Sequence, residues 1–332
     1  MKELWASYNQ KMKATAKAPS NIAFIKYWGK KNEELRIPAN SSISMNLSNA
    51  KTTTTVEFDS NFKTDSFMFF GEKADEKESQ RVFRHLDRIR KLAKLDLRAK
   101  VTSKNNFPKG TGIASSASGF AALTVAAAKA ADLDLPEKEL SILARIGSGS
   151  ACRSIPDGFV EWKTGKISDQ SFAISLYPAD YWDLRDVIAI IGKVDKKVSS
   201  SEGHAVAESS PFYSARIENL PKKVDKLKRA LAKKDFTLFG EIIEAEAVNM
   251  HAVMMTSKPA LFYWLPKSLE VMYLVQDLRS RGVECYFTID AGPNIHIICE
   301  GKSVNKIKRR LIDSGSIKDI LINKASVGTK II

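Results

Sequence analysis

Apolar positions recur along this chain in two periods, and the switch between them divides it into elements. Val82, Leu86, Ile89 and Ala93 share one face of a 3.6-residue repeat, with Arg84, Arg88 and Lys91 elsewhere. The basic stretch Arg81–Lys100 is therefore predicted helical, and Lys222–Lys234 reads the same way. Thr52–Phe58 is β-branched and bounded by a polar turn, which predicts a strand, and Asp65–Phe70 is a second. Lys100–Lys104 reads as a short strand. The Ala-rich run Ala121–Ala131 reads as a helix, because alanine has the best intrinsic propensity. Another helix is expected over Pro136–Ile146, with Pro near its start and Gly147 after its end. Strands follow at Phe159–Lys163 and Phe172–Leu176.

Asp186–Ile191, DVIAII, is a continuous apolar run, the mark of a strand buried on both faces. A largely helical stretch covers Ser210–Met255, and a further helix covers Lys267–Arg281. Tyr286–Asp290 and Asn294–Cys299 read as strands around the turn Ala291-Gly292-Pro293. A helix at Val304–Asp313 and a last strand at Asp319–Asn323 close the pattern. Such a mixture predicts an α+β fold. The boundary is expected near Pro178–Asp183, giving domains over 1–182 and 183–332.

Composition narrows the class. A chain of 332 residues has the length of two domains. Its 44% hydrophobic and 27% charged content is ordinary for a soluble globular protein. No run of about 18 apolar residues occurs and the N-terminus is polar and charged, so the expected location is cytoplasmic, away from the membrane. Cys152, Cys285 and Cys299 lack zinc spacing; Cys285 and Cys299 flank the expected hairpin, and buried reduced thiols are the simpler reading. The net charge of +14 reads first as solvated helix surface and second as a field that draws in anionic substrates. No nucleic-acid-binding motif accompanies it.

The chemistry concentrates in Asn106–Leu123, NFPKGTGIASSASGFAAL. A glycine loop opening a helix presents unpaired backbone N–H groups and the positive end of the helix dipole, which together suit phosphate. The candidate contacts are Pro108, Gly110, Gly112, Ser115, Ser116 and Ser118, and the serine hydroxyls could add donors or help hold a metal ion. The loop is neither a Walker A sequence nor a dinucleotide fingerprint. Lys26 and Lys30 flank Tyr27-Trp28-Gly29; on an extended chain both ammonium groups would face one cleft and suit a polyanion, the plain alternative being two surface lysines. Arg153 follows a small-residue segment, where its planar fork suits a carboxylate or phosphate, or else a structural acid. Asp290 ends a strand before a Gly-Pro turn, either as a base or as a partner of the turn amides.

Four blocks stand in fixed order: APSNIAFIKYWGK (Ala18–Lys30), the glycine loop, GSGSACRS (Gly147–Ser154) with GFVEW after it, and FTIDAGPN (Phe287–Asn294). With them the chain resembles the diphosphomevalonate decarboxylase family of the GHMP small-molecule kinase superfamily, from about Ala16 to about Glu300. The resemblance implies a ribosomal-protein-like N-terminal domain and a ferredoxin-like C-terminal domain, with the active site in the cleft between them. It implies ATP and Mg²⁺, a mevalonate phosphate as small-molecule substrate, and a homodimer as an open option.

It also assigns roles. Asp290 matches the family's catalytic Asp, and Lys26 lies beside it. Asn21 matches an asparagine that binds the substrate carboxylate. Tyr27 and Lys30 match diphosphate contacts. Arg153 holds the carboxylate, with Ser148 and Ser150 lining the same pocket, and Ser116 belongs to the catalytic set. The loop Lys196–Gly203, with Ser200 and Ser201, matches the segment that touches the terminal phosphates. Two departures stand out. Ser201 replaces an Arg of many bacterial members, and Asp157 adds a negative charge beside the pocket.

The histidines His85, His204, His251 and His296 are scattered, without the i, i+4 spacing of a metal site, and no chemistry is assigned to them. His204 alone stands close to the second-domain phosphate loop in sequence. The expected reaction is ATP-dependent decarboxylation of 5-diphosphomevalonate to isopentenyl diphosphate through a 3-phosphorylated stage. The alternatives are a 5-phosphomevalonate decarboxylase, a mevalonate 3-kinase, and a basic binding protein without turnover.

Overall fold

The computed structural model describes residues 12–107, 115–192, 200–315, 317 and 319–332, and for 200 and 201 the backbone alone. In chain order the first half holds β1 (Lys13–Ile25), β2 (Lys30–Asn32), β3 (Ile37–Pro38), β4 (Ser42–Asp59), β5 (Ser66–Phe69), β6 (Glu72–Lys73), α1 (Glu76–Ala93), β7 (Arg98–Asn105), α2 (Ser115–Ala130), α3 (Glu137–Gly147), β8 (Phe159–Trp162) and β9 (Ala173–Tyr177). The second half holds β10 (Leu184–Ile190), α4 (Ser200–Ala205), α5 (Tyr213–Lys233), α6 (Phe236–Thr256), α7 (Pro266–Ser280), β11 (Cys285–Thr288), β12 (Ile295–Glu300), α8 (Val304–Asp313), β13 (Asp319–Lys324) and β14 (Lys330–Ile331).

β4 explains the larger sheet. Its second half alternates strictly, with Thr52, Thr54, Val56 and Phe58 buried, and pairs with β7. Its first half, Ser42–Leu47, is buried at every position and pairs with β8. The strand runs far beyond the expected Thr52–Phe58, because Ser and Asn here are interior residues rather than turn residues. β1 pairs antiparallel along most of β4, and the sheet order is β14-β1-β4-β7-β5-β6, with β8 and β9 branching from β4. The alanines of α2 let that helix lie against β1 and β4; Ala121, Ala126 and Ala127 are fully buried. The basic stretch is not one helix. α1 ends at Ala93, Lys94 takes a left-handed cap, and β7 starts at Arg98.

The smaller sheet has order β11-β12-β10-β13, all antiparallel. With helices between β10 and β11 and between β12 and β13, this is a ferredoxin-like βαββαβ arrangement. β10 is apolar over Val187–Ile190, where both faces are covered, while the buried Asp186 before them pairs with His296 Nδ1 at 2.9 Å. Val187 and Ala189 join the core with α7 and α8, while Leu184 and Ile188 join the one with α5 and α6. That second core also takes in Ile22, Phe24 and Ile43 of the larger sheet. The halves therefore share one apolar layer, filled by Phe239 edge-on to Phe24 at 4.9 Å. The chain passes between sheets at 178–183, yet β14 returns to pair with β1. Among the described residues no helix is long and apolar enough to cross a membrane.

Candidate active site

β1 delivers the first functional residues to the seam between the two sheets. Beyond Ile25 the chain leaves the ladder, and Lys26 turns inward. Its side chain is 1% exposed, and its Nζ lies 2.7 Å from Asp290 Oδ1. Asp290 stands two residues past β11, its carbonyl accepting from the Gly292 N–H at 2.8 Å. Its carboxylate is thus on Lys26, while the turn uses only the backbone. Burial lowers the pKa of Lys26, and the Asp290 carboxylate opposes that fall. For Asp290, burial favours the acid, but the charges of Lys26, His296 and Arg153 outweigh it and hold the carboxyl below its usual value. The Lys26 ammonium and the Asp290 carboxylate each favour the charged form of the other. The Lys26 carbonyl accepts from Asn40 Nδ2 at 2.9 Å and Arg216 Nη2 at 3.3 Å. Arg216 in turn meets the fully buried Glu246 at 2.5 Å, which also takes Lys223 at 2.6 Å.

Arg153 lies on the 3-10 turn Gly149–Ser154, 3% exposed. Nε and Nη2 donate to Asn21 Oδ1 at 3.2 and 3.1 Å, and Nη1 donates to Ser42 Oγ at 2.8 Å. No described acid forms an ion pair with it, so the structural-acid alternative falls away. A buried guanidinium held only by neutral oxygens keeps two of its five N–H donors for an anion. Asn21 is differently placed from expectation. Its amide N–H groups are taken by Ser154 Oγ at 2.8 Å and the Ser150 carbonyl at 3.2 Å. It orients Arg153 and has no donor left for a carboxylate.

Lys26 and Lys30 do not face one cleft side by side. Gly29, at φ +95°, breaks the extended alternation between them, and Lys30 Nζ rests on Glu33 at 2.5 and 2.7 Å. Tyr27 packs on Trp162 and His204, with ring centroids 4.6 and 4.1 Å away. Its hydroxyl is buried without a partner, and burial raises its pKa.

α2 begins at Ser115, so Ser115 and the exposed Ser116 stand at its N-terminus. Ser148 Oγ reaches Ser116 Oγ at 3.4 Å, joining the two small-residue segments; Ser150 is half-buried next to it. Ser118 leaves the phosphate set. Three residues on from Ser115 it turns to the sheet, fully buried, within 2.6 Å of Thr52 Oγ1 and 3.2 Å of Ser20 Oγ. Pro108, Gly110 and Gly112 lie outside the described residues, as do Lys196 and Lys197 and the side chains of Ser200 and Ser201. Asp157 is no charge in the pocket: it accepts from Gly328 N–H at 2.7 Å and Lys330 Nζ at 3.0 Å, held by the returning C-terminal segment.

Sequence reasoning missed three features. Beside Ser115 and Ser116 lies a cavity of about 120 Å³, walled by Phe67, Phe69, Val101, Phe120 and Leu123, with Arg81 at its edge. Arg81 reads as helix surface in the sequence but stands 5.0 Å over the Phe120 ring. His251 is buried against the backbone of Ile289 and Asp290, and burial pushes its pKa down to about 3. Arg216 and Glu246 are invisible to periodicity, since each looks like a helix-surface charge. Among the described residues no cluster of three His, Cys, Asp or Glu could hold a metal ion. Magnesium, which takes phosphate oxygens, water and few protein ligands, fits the exposed Ser116 hydroxyl without such a cluster.

The Diphosphomevalonate decarboxylase-like N-terminal domain matches residues 18–173, and the Mevalonate 5-diphosphate decarboxylase C-terminal domain matches residues 187–325. The diphosphomevalonate decarboxylase of Candida albicans is 36% identical, over 89% of this chain and 86% of its own length. The phosphomevalonate decarboxylase of Haloferax volcanii is 33% identical, over 93% and 95%. Among solved structures, the mevalonate diphosphate decarboxylase of Staphylococcus aureus superposes with a TM-score of 0.92 at 39% identity, covering 96% of this chain and 98% of that one. A structure of MDDEF in complex with MVAPP, AMPPCP and magnesium superposes at 0.91 with 41% identity and the same coverage.

Proposed function

The chain belongs to the diphosphomevalonate decarboxylase family, and from that premise we propose how its cleft carries out the ATP-dependent decarboxylation of 5-diphosphomevalonate to isopentenyl diphosphate. The observation that carries the reading is the pairing of Lys26 with Asp290 across the two halves, beside a buried Arg153 that, among the described residues, pairs with no acid.

The tertiary 3-hydroxyl is a poor leaving group and must first be phosphorylated. Asp290, held ionised by Lys26, orients the 3-hydroxyl and takes its proton as the γ-phosphoryl group arrives. Ser115 and Ser116, at the α2 N-terminus, face the transferred phosphate, and the apolar cavity beside them takes the nucleoside of ATP. Mg²⁺ bound with ATP supplies positive charge to the phosphates. Arg153, set by Asn21 and Ser42, binds the C1 carboxylate with its free N–H groups; Ser148 and Ser150 line the same pocket. Tyr27 and Lys30 contact the 5-diphosphate, Lys30 exchanging Glu33 for phosphate oxygens. When the C3–O bond breaks, the departing phosphate takes back the proton that Asp290 accepted and leaves as inorganic phosphate, and the carboxylate so restored stabilises the electron-poor C3. The C1–C2 bonding pair then forms the C2–C3 double bond, and carbon dioxide departs.

The test incubates the protein with ATP and each mevalonate phosphate and measures ADP and carbon dioxide together. Equal amounts of both from the 5-diphosphate are expected. ADP without carbon dioxide would replace the reading with a 3-kinase. The match to the Haloferax volcanii relative, over 95% of its length, favours the 5-monophosphate as the second reading, and turnover of that substrate alone would select it.

A further inference from the structure

His204 belongs to α4, at the start of the second half, yet its ring is inserted into the first. It is sandwiched between Tyr27, at 4.1 Å and 35° between planes, and Trp28, at 4.5 Å and 34°. Its Nδ1 accepts the Gly29 N–H at 2.9 Å. Gly203 makes that approach possible, because a Cβ there would stand 2.7 Å from Trp28 Cη2. The Gly29 turn is held from other sides too. Its carbonyl accepts from the Ala39 N–H at 3.2 Å, and a Cβ on Gly29 would collide with the Tyr213 hydroxyl.

We infer that His204 is a positioning residue for polyphosphate binding: its Nδ1 fixes the left-handed Gly29 turn, and so aims Tyr27 and Lys30 at the substrate's terminal phosphates. The inference rests on the proposed placing of the 5-diphosphate at Tyr27 and Lys30. An extended chain would set Lys26 and Lys30 on one face; the positive φ of Gly29 separates them and leaves Lys30 outside the Asp290 pair. Only an acceptor aimed at the Gly29 N–H satisfies that turn in a buried setting, since an orphaned buried donor is costly. The acceptor does not titrate away. Burial, with the charges of Lys30, Arg36, Arg216 and Arg153, keeps the ring neutral and well below the ordinary histidine value. With Nδ1 accepting, the ring proton resides on Nε2. The contact also joins α4 to the segment after β1, so both halves act on the same anion.

Two variants separate the hydrogen bond from the packing. His204→Phe keeps a ring between Tyr27 and Trp28 and removes the acceptor. His204→Asn places Oδ1 where Nδ1 stood and removes the stack. KM for 5-diphosphomevalonate should rise about tenfold in His204→Phe, on the scale of one lost buried hydrogen bond. KM for ATP and kcat should stay within about twofold, and His204→Asn should recover most of the loss. Inorganic diphosphate, titrated by calorimetry, reads the same turn without turnover: its affinity should fall in His204→Phe and persist in His204→Asn. Failure of the proposed reaction would show in the wild type as no ADP or carbon dioxide, with this diphosphate ranking intact. Equal losses in both variants, loss in His204→Asn alone, no loss in either, or a wild type that does not bind diphosphate would each overturn the inference.

Discussion

Replacing Asp290 with Asn tests the centre of the site in two independent ways. The substitution keeps the shape and removes the charge facing Lys26 at 2.7 Å. Removing one partner of a fully buried pair costs about 3–5 kcal/mol. Here the Asp290 side chain is 28% exposed, so a smaller cost of about 2 kcal/mol is expected at pH 7. The pH dependence has a defined sign. Burial already lowers the Lys26 pKa from 10.5, and loss of the carboxylate lowers it further. A lysine with a depressed folded pKa costs stability below that pKa, and the cost fades as pH rises through it towards 10.5. The deficit of Asp290→Asn should therefore shrink between neutral pH and 10.5. It should shrink on the acid side as well. The depressed Asp290 carboxyl stabilises the wild type above 3.8, and that contribution is lost as pH falls through its folded value. Adding Lys26→Met should recover stability relative to Asp290→Asn alone, because the unpaired buried cation is gone. Catalysis should fall by roughly 10²-fold or more, about 2.7 kcal/mol on the barrier, in ADP and carbon dioxide alike, with ATP binding kept. Urea unfolding across pH and a coupled ADP assay measure both effects. Equal stability at pH 7 with parallel pH curves, or activity within fivefold of wild type, would refute the reasoning.

Arg153→Met should lose substrate binding and turnover together, by about tenfold or more in kcat/KM, because the fork that takes the carboxylate is gone while Asn21 and Ser42 keep their backbone places; normal kinetics would remove Arg153 from the site. Ser116→Ala should lower kcat with little change in unfolding, whereas Ser118→Ala should cost about 1–2 kcal/mol by breaking its buried bonds to Thr52 and Ser20 and leave ATP affinity nearly unchanged. Urea midpoints alongside ATP titrations separate the two, and a reversed pattern would put Ser118 back among the phosphate contacts. Asp157→Asn should leave the preference between mono- and diphosphate unaltered, since its carboxylate is on Gly328 and Lys330; a changed preference in a competition assay would return that charge to the pocket.

Local pattern determined much of this protein. The strand at Asp186–Ile191 is readable because burial on two faces calls for the unbroken apolar run Val187–Ile191, whereas the buried Asp186 ahead of it is accommodated only by His296. The α2 helix is readable because alanine favours helix and permits close packing on β1 and β4. The residue types of the site stand in four compact blocks, each legible where a small-residue turn brings backbone near a ligand. Pattern failed where polar residues are interior. Ser42–Leu47 of β4 carries Ser and Asn because it runs beneath the site, so neither its length nor that of β1 follows from hydrophobic period. Partners were decided by the tertiary structure alone. Lys26 meets Asp290 across 264 positions, Asn21 reaches Arg153 across 132, and His204 reaches Gly29 across 175. The same packing took Ser118 into the sheet, gave Asp157 to the C-terminal segment and buried Arg216 on Glu246. A side chain's chemistry is written in its type, but its charge state and availability depend on what folding places within about 3 Å of it, and no spacing along the chain contains that distance.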